Sequence, residues 1–239
     1  MTDYTPLHLD WQGCLNVRDL GGLPLTGGGT ILERALVRSD SPSFLTDDGV
    51  RAATAYGLAR IIDLRRPDEI SQYASRLADL PAHLHLPVQG PGDPEEGPWV
   101  HLYTGLLDRR PELFARAVAA LADAPEGPVL VHCAAGKDRT GLVVALALSL
   151  AGAELDAIAD DYEATNHRLA PRYAALAADR DIPVGREIPP TRHVILGALE
   201  HLRARHGSVE AYLTHGGLTP GHVRALRARL TAPPAPPAR

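Results

Sequence analysis

A cysteine and an arginine lie six positions apart near the middle of the chain, in a segment that could bind a phosphate group and attack it. Cys133 carries a nucleophilic thiol, and the planar guanidinium of Arg139 can bind two phosphate oxygens at once. The five residues between them are enough for their backbone N–H groups to converge on one oxyanion, and Gly136 permits the unusual turn that this requires. The same positive field would favour the thiolate form of Cys133. The segment therefore predicts a nucleophile and an anion site in one structure.

The predicted phosphate ligands include the single lysine of the chain. Lys137 stands among 24 basic residues, and all the others are arginine. Because lysine is a compact point charge and arginine is a planar fork, we expect that the exchange is not neutral at this position. The predicted phosphate-binding residues are Ala134, Ala135, Gly136, Lys137, Asp138 and Arg139.

The general acid has two candidates. A leaving phenolate or alkoxide needs a proton from a carboxylic acid on the far side of phosphorus from the sulfur. Asp138 lies inside the segment, where its position would hold it close to the phosphate. Asp93 lies in the Gly/Pro-rich stretch 89–98, which is predicted to be a loop and could act as a lid. We favour Asp138 and keep Asp93 as the alternative.

The candidate segment needs a strand before it and a helix after it, and the sequence predicts both. Residues 129–132 are a continuous apolar run typical of a central strand, and residues 142–150 are apolar on all sides, which is typical of a buried helix. Further strands are predicted at 30–37, 60–64 and 84–87. Further helices are predicted after a Thr46 cap, from Pro67, and over 111–122, 155–176, 193–206, 209–213 and 222–230.

Strands that alternate with helices indicate an α/β fold, with a central, mostly parallel sheet flanked by helices and a helical C-terminal half. We expect one domain over residues 1–230, followed by a disordered Pro-rich tail over 231–239. Ligands of such sheets bind outside the carboxyl ends of the strands. The loops after Asp63, Pro87 and His132 are therefore expected to meet at the candidate segment.

The composition excludes several classes of protein. The 239 residues are 45% hydrophobic, and no apolar run approaches the roughly 18 residues that span a bilayer, so we expect neither a disordered chain nor stable membrane insertion. A net charge of −5 gives no general attraction for nucleic acid. Two cysteines cannot form a disulfide framework, and no signal-peptide pattern is recognised. We therefore expect a cytoplasmic protein, with export by an unrecognised signal and the oligomeric state left open.

Several stretches of the chain resemble the cysteine-dependent protein phosphatases, whose signature is His-Cys, five residues, Arg, then Ser or Thr. His132, Cys133, Arg139 and Thr140 match every fixed position. Residues 135–141 are similar to the loop of the bacterial tyrosine and dual-specificity protein phosphatases. Further stretches similar to that family are 16–22, 38–39, 62–65 and 161–166.

The resemblance implies a role for each matching residue. Cys133 would attack phosphorus and become a phosphocysteine that water later hydrolyses, while Arg139 would stabilise the equatorial oxygens. Thr140 would donate a hydrogen bond to the sulfur as it leaves, and His132 would orient the loop and help to keep the thiol ionised. Lys137 would add positive charge at the mouth of the pocket, as in phosphatases that accept inositol phosphates. No metal or other cofactor is implied.

Asp63 and Cys14 lie outside the segment and have two interpretations each. Asp63, at a predicted strand end, either supports the loop together with Arg65, or is a capping carboxylate beside a surface charge. Cys14 is interpreted as a buried core side chain, with a resolving thiol for oxidised Cys133 as the alternative. The histidines are scattered along the sequence, so no metal site is predicted.

We predict that the chain hydrolyses phosphomonoesters and that its partners are phosphorylated substrates. Phosphotyrosine proteins are the first expectation and phosphoinositides are the alternative. A non-catalytic phosphate-binding module is the hypothesis from another class, although a binder gains little from a reactive thiol. No nucleic-acid partner is expected.

Overall fold

The computed structural model describes residues 4–90, 92–93, 98–178 and 191–232, which form a six-stranded sheet with helices around it. The strands are β1 Leu7–His8, β2 Arg18–Asp19, β3 Leu36–Ser39, β4 Arg60–Asp63, β5 His83–His85 and β6 Val129–His132. The helices are α1 Asp47–Ala55, α2 Pro67–Gln72, α3 Trp99–Arg109, α4 Pro111–Ala122, α5 Asp138–Ala151, α6 Leu155–Ala178, α7 Arg192–His206, α8 Val209–His215 and α9 Pro220–Leu230. A short 3₁₀ helix, Pro42–Phe44, lies between β3 and α1.

The sheet has the strand order β1-β2-β3-β6-β4-β5. The four strands β3, β6, β4 and β5 are parallel, and β1 and β2 add an antiparallel edge. The carboxyl ends of the parallel strands therefore lie along one edge of the sheet, where Asp63 is in register with His132. The N–H of Leu86 binds the carbonyl of Asp63, and the N–H of Leu64 binds the carbonyl of His132, each at 2.9 Å. The predicted α/β fold is confirmed, and the carboxyl ends of β4, β5 and β6 lie side by side.

Most of the predicted elements are confirmed. Helix α4 has the predicted bounds, β6 follows as expected, and Thr46 caps α1 by accepting a hydrogen bond from the N–H of Gly49. The second short strand lies at 83–85 rather than 84–87. Strands β1 and β2 and helix α3 were not predicted.

The predicted strand over 30–37 is wrong for most of its length, because β3 begins only at Leu36. Residues 33–35 form a turn in which Arg34 has a φ of 58°. The backbone N–H of Arg34 donates to the carboxylate of Asp19 at 2.7 Å, which fixes this turn. The predicted strand is therefore interrupted at the charged residues Glu33 and Arg34 by a contact from the neighbouring strand β2.

Helix α5 runs through the centre of the helical layer and is buried on all sides, as predicted. No charged residue occurs from Thr140 to Gly152, and α4, α6, α7, α8 and α9 pack against the helix. Each fully buried Leu or Val contributes about 1.5–3 kcal/mol of hydrophobic stabilisation. Gly152 ends the helix with a φ of 85°. The N-terminus of α5 is therefore held rigidly beside the carboxyl end of β6.

The last described residues include Thr231, the first residue of the predicted tail. Helix α9 ends at Leu230, and Thr231 forms a β-bridge with Ile31. The predicted disorder of 233–239 lies outside the described residues, as do five positions of the predicted loop 89–98. The single domain over 1–230 stays a prediction. In the described part of the chain, no helix is both long and apolar enough to cross a membrane.

Candidate active site

The segment after β6 bends back over residues 133–137 before α5 begins. Its carbonyl groups bind an outer frame formed by residues from the first quarter of the chain. The carbonyl of Ala134 accepts a hydrogen bond from the N–H of Ser41 at 2.9 Å. The carbonyl of Ala135 accepts one from the side-chain amide of Asn16 at 3.1 Å. The loop is thus fixed from its outer side.

The next carbonyl is bound by two donors. Gly136 accepts hydrogen bonds from Asn16 Nδ2 at 3.2 Å and from Arg38 Nη2 at 2.7 Å. We define Asn16, Arg38 and Ser41 as the outer frame of the loop. These residues lie in stretches that resemble the phosphatase family or beside them, but no local pattern in the sequence indicates why these side chains are needed.

The arrangement leaves the other side of the loop lined by amide groups. Every peptide bond of the described chain is trans, so each N–H points away from the carbonyl of its own peptide unit. Because the carbonyls of 134–136 bind the outer frame, the N–H groups of 135–137 point to the opposite side. None of these N–H groups finds an acceptor among the described residues. Such an amide-lined cup, at the positive end of a helix, can bind an oxyanion.

Gly136 is required by the close approach of this loop to β3. Its φ is 65°, which is the left-handed region that favours glycine. A Cβ at this position would lie 2.3 Å from the carbonyl oxygen of Ser39. No other residue type fits here without moving the backbone.

A buried ion network supports the outer frame from behind. Asp161, on α6, binds Arg18 Nε at 2.7 Å and Arg38 Nη1 at 2.6 Å. Arg18 Nη1 also donates to the side-chain oxygen of Asn16 at 2.5 Å. Burial acts to raise the pKa of Asp161, but the charges and hydrogen bonds of the two arginines lower it below its usual range. Removal of one partner from such a network costs about 3–5 kcal/mol.

Arg139 lies in the first turn of α5 and binds Glu69, on α2. Its Nη1 and Nη2 donate to the two carboxylate oxygens of Glu69 at 2.5 and 2.7 Å. Burial acts to lower the pKa of Arg139, but the bond with Glu69 and the nearby sulfur of Cys133 raise it above its ordinary value. These bonds use two of the five guanidinium hydrogens, and the described residues provide no acceptor for the others. Three donors therefore remain for a bound anion.

Cys133 directly precedes the cup, and Thr140 lies in the first turn of α5 after it. Cys133 is 2% exposed and is a free thiol. Thr140 is fully buried, and its hydroxyl has no hydrogen-bond partner among the described residues. An unpaired buried hydroxyl is costly and is uncommon in folded proteins. The hydroxyl is thus available as a donor.

His132 lies in a buried polar cluster behind the cysteine. Its Nε2 approaches Asp63 Oδ2 at 3.7 Å, and His83 Nε2 approaches the same oxygen at 3.5 Å. Burial lowers the pKa of His132 to about 4, with the charge of Asp63 acting in the opposite direction. The imidazole is therefore neutral near pH 7. It can orient the loop, but it cannot supply a positive charge to the thiol.

Asp63 is a buried support and not a capping carboxylate beside a surface charge. Arg65 is 1% exposed and binds both carboxylate oxygens, with Nη2 to Oδ2 at 2.7 Å. Burial acts to raise the pKa of Asp63, but His132, His83 and Arg65 together lower it well below its usual range. The ligand atoms of Asp63, His83 and His132 lie within 4.8 Å of one another, a grouping not visible in the sequence. Because Arg65 already neutralises the carboxylate, the donor set fits a bound cation poorly.

Lys137 and Asp138 contact an aromatic face of α3. The Lys137 ammonium lies 4.0 Å from the centroid of the Trp99 ring and 3.2 Å from Asp138 Oδ1. The same carboxylate oxygen accepts a hydrogen bond from the hydroxyl of Tyr103 at 2.5 Å. Lys137 is only 5% exposed, because its ammonium packs against α3, a helix that was not predicted. Its expected location at the mouth of the pocket stays a prediction.

Asp93 is engaged in a structural contact. Its carboxylate accepts hydrogen bonds from Arg110 Nε at 3.0 and 3.1 Å and from the N–H of Gly90 at 2.7 Å. The Asp93 side chain is 1% exposed. It therefore pairs with α4's N-cap residue instead of projecting freely from a loop.

Cys14 is buried, as its core interpretation expects. Its Sγ donates to the carbonyl of Ser41 at 3.5 Å. Burial, together with the charge of Asp40, raises the pKa of this thiol well above its ordinary value. Cys14 therefore remains a neutral thiol, which is the unreactive form in disulfide exchange.

Comparisons with known proteins agree with this geometry. A sequence profile of the tyrosine phosphatase family matches residues 9–232. A tyrosine-protein phosphatase of Nostoc commune is 28% identical over 217 residues, which cover 82% of this chain and 74% of that protein. The triple specificity protein phosphatase PtpB of Mycobacterium tuberculosis is 34% identical over 117 residues, which cover 42% of each chain.

The profile spans almost the whole chain, including the cysteine, the arginine and the frame that holds the loop between them. The chain belongs to the tyrosine phosphatase family and is a phosphatase.

Proposed function

We propose that this phosphatase hydrolyses phosphomonoesters through a phosphocysteine at Cys133. The observation that carries the proposal is the amide-lined cup over 134–137, whose outward carbonyls are bound and whose inward N–H groups lack acceptors among the described residues. A phosphoryl group in this cup is held next to the sulfur. The N–H groups and the three free donors of Arg139 would stabilise the charge that develops on the equatorial oxygens.

The neighbouring side chains have distinct roles in this mechanism. Thr140 would donate its unpaired hydroxyl hydrogen to the sulfur when the P–S bond breaks. His132 would orient the loop through its contact with the carbonyl of Cys133 at 3.3 Å. Because the pKa of His132 is lowered to about 4, the thiolate would depend on the cup and on Arg139 for its stabilisation.

Asp138 is the favoured general acid. Its side chain is 34% exposed to solvent, and it follows the cup directly in the chain. Asp93 is less suitable, because Arg110 and Gly90 already bind its carboxylate. This role of Asp138 is a proposal that rests on accessibility and on its place in the loop.

Phosphotyrosine proteins are the proposed substrates. Cys133 is buried, and a phosphotyrosyl side chain carries its phosphorus further from the peptide backbone than a phosphoseryl side chain does. The Nostoc relative's name as a tyrosine-protein phosphatase supports the same class. Phosphoinositides are the alternative, but the packing of Lys137 against Trp99 gives them less support than the sequence did.

Turnover of a simple aryl phosphate tests the mechanism. We expect Cys133→Ser to abolish turnover, vanadate to inhibit the wild type, and rapid quenching to trap one phosphate on the wild-type protein through sulfur. Cys14→Ser is the matched control, since Cys14 is also buried and its serine variant can still donate to the carbonyl of Ser41.

Two outcomes would contradict the proposal. Undetectable wild-type turnover with intact phosphate affinity would favour the non-catalytic binding module. Full turnover in Cys133→Ser would exclude the phosphocysteine. A panel of phosphotyrosine peptides, phosphoserine peptides and inositol phosphates then decides the substrate class.

A further inference from the structure

Two buried tyrosines form a hydrogen-bonded pair behind Asp138. The hydroxyl of Tyr103, on α3, donates to Asp138 Oδ1 at 2.5 Å and lies 2.5 Å from the hydroxyl of Tyr162, on α6. The exposed fractions of Tyr103 and Tyr162 are 3% and 2%. A chain of hydrogen bonds therefore runs from Tyr162 on α6 through Tyr103 on α3 to Asp138 on α5. Nothing in the phosphocysteine mechanism described above uses these tyrosines.

The Tyr162 ring is packed tightly against the first turns of α5. A Cβ on Gly141 would lie 2.8 Å from this ring, so the glycine allows the tyrosine to approach. The rings of Tyr103 and Tyr162 meet edge to face, with centroids 6.3 Å apart. This packing leaves the two hydroxyl groups little freedom to move away from Asp138.

The two oxygens of Asp138 have different surroundings. Oδ1 is bound by Tyr103 and lies 3.2 Å from the Lys137 ammonium. No hydrogen bond to Oδ2 is formed within the described residues. The asymmetry means that a proton on this carboxyl group is placed on Oδ2, because Oδ1 already accepts from Tyr103 and lies beside the Lys137 ammonium.

We propose that Tyr103 and Tyr162 are positioning residues that fix Asp138 through Oδ1 and reserve Oδ2 for proton transfer. This inference rests on the proposed role of Asp138 as general acid. Burial, with the charge of Asp138 and the neighbouring Tyr162, raises the pKa of Tyr103 well above its ordinary value, so its hydroxyl keeps its proton throughout.

The proton balance of the two steps follows from this assignment. In the first step the sulfur of Cys133 bonds to phosphorus, the bond from phosphorus to the leaving oxygen breaks, and Oδ2 gives its proton to that oxygen. In the second step a water oxygen bonds to phosphorus, the P–S bond breaks with its electron pair returning to sulfur, and Oδ2 takes a proton from the water. Tyr103 donates to Oδ1 in both steps and is unchanged.

The test compares substrates whose leaving groups need a proton to different extents. A dinitrophenyl leaving group departs without protonation, whereas a phenyl leaving group requires the acid. We expect Tyr103→Phe to lower kcat/KM for phenyl phosphate by about tenfold, a small part of the 10²–10⁴-fold that general acid catalysis supplies. The kcat/KM of Tyr103→Phe for dinitrophenyl phosphate should stay close to that of the wild type. Tyr162→Phe should show the same selectivity with a smaller loss, because Tyr103 still reaches Asp138.

The matched control is Tyr212→Phe. Tyr212 is also buried and donates to a backbone carbonyl, that of Leu107, at 2.9 Å, but it belongs to α8 and does not contact the loop. Tyr212→Phe should leave the ratio of the kcat/KM values for phenyl phosphate and dinitrophenyl phosphate unchanged. Equal losses on both substrates in Tyr103→Phe and Tyr162→Phe would indicate a merely structural role and would overturn the inference.

Asp138→Asn separates failure of this inference from failure of the proposed acid. If Asp138→Asn shows no dependence on the leaving group, Asp138 is not the acid and both proposals fall. If the loss in Asp138→Asn depends on the leaving group and the losses in the tyrosine variants do not, only the positioning role fails. When Tyr103→Phe is added to Asp138→Asn, we expect no further loss for phenyl phosphate. A further loss there would also contradict the inference.

Discussion

Arg139 is held at both terminal nitrogens by one carboxylate from another helix. Glu69 binds Nη1 and Nη2, and its Oε2 also accepts the backbone N–H of Arg66 at 2.7 Å, as part of the cap of α2. The carboxylate is thus fixed before it fixes the guanidinium. Charge-assisted hydrogen bonds of this kind contribute about 1.5–3 kcal/mol each. The orientation of Arg139, the proposed phosphate ligand, therefore depends on a residue 70 positions away.

Glu69→Gln tests this dependence. The amide keeps the size of the side chain but loses the charge and one acceptor, so Arg139 becomes free to turn. We expect kcat/KM for an aryl phosphate to fall by about 10- to 100-fold, which corresponds to about 1.4–2.7 kcal/mol. Steady-state kinetics with a parallel thermal melt measure this.

The adjacent Asp68→Asn is the control for that change. Asp68 lies in the same helical turn, pairs with Arg66 at 3.0 Å and is 67% exposed. It should leave kcat/KM unchanged. If Glu69→Gln raised the rate instead, Glu69 would be a competitor of the substrate for Arg139 rather than its support.

Residue identity predicted part of this site and not the rest. The spacing of Cys133 and Arg139 was sufficient to predict the loop, because all residues between them are neighbours in the sequence. Glu69 was visible only as an acidic residue at a helix start, since its partner lies on another element. Tyr103 gave no signal at all, because a tyrosine in an amphipathic stretch is typical of any core.

At the scale of elements, the loop over 133–137 and strand β3 approach so closely that a single methyl group would separate them. Gly136 has both a positive φ and a nearby carbonyl, that of Ser39, which distinguishes it from glycines that serve only in turns. Loss of one oxyanion donor typically costs about 10²–10³ in kcat. The fit between loop and strand is therefore part of the proposed catalytic geometry.

Gly136→Ala should lower kcat by about 100-fold or more, because the added Cβ moves the loop away from β3 and misaligns the N–H groups. Gly152→Ala is the matched control: Gly152 also has a positive φ, 85°, but its Cβ would meet nothing within 4 Å. That variant should lose about 1 kcal/mol of stability and keep its kcat. Comparable activity in the two variants would show that the approach to β3 does not matter.

The elements themselves were predictable where caps and apolar runs were local. Thr46 and the apolar run of α5 carried such signals, and both predictions are confirmed. Strand β3 was misplaced because the turn at Arg34 is set by Asp19, which is distant in sequence. Helix α3 was missed because it follows a stretch rich in glycine and proline that obscured its start.

At the scale of the whole molecule, stability is linked to pH through the buried cluster of His132. Burial lowers its pKa to about 4, from about 6.5 in an unfolded chain. Between these values the unfolded chain binds a proton that the folded chain does not. The contribution of neutral His132 to the free energy of unfolding is therefore fully present above pH 6.5 and is lost as the pH falls toward 4. The difference amounts to about 3 kcal/mol.

His132→Gln should remove most of that dependence. We expect the free energy of unfolding of the wild type to fall between pH 7 and pH 5, and the slope to be clearly smaller in the variant. Urea unfolding at several pH values measures it. His101→Gln, which replaces an exposed histidine, is the control and should retain the wild-type slope. An unchanged slope in His132→Gln would assign the acid sensitivity to other groups.

The outer frame of the loop has a consequence for engineering. The bonds from Asn16 to the carbonyls of the loop join positions 119 and 120 residues apart, and the bond from Arg18 to Asp161 joins positions 143 apart. A graft of residues 132–141 onto another strand and helix would transfer the proposed nucleophile without the donors that turn the carbonyls of the loop outward. Transplantation of this chemistry therefore requires both halves of the chain.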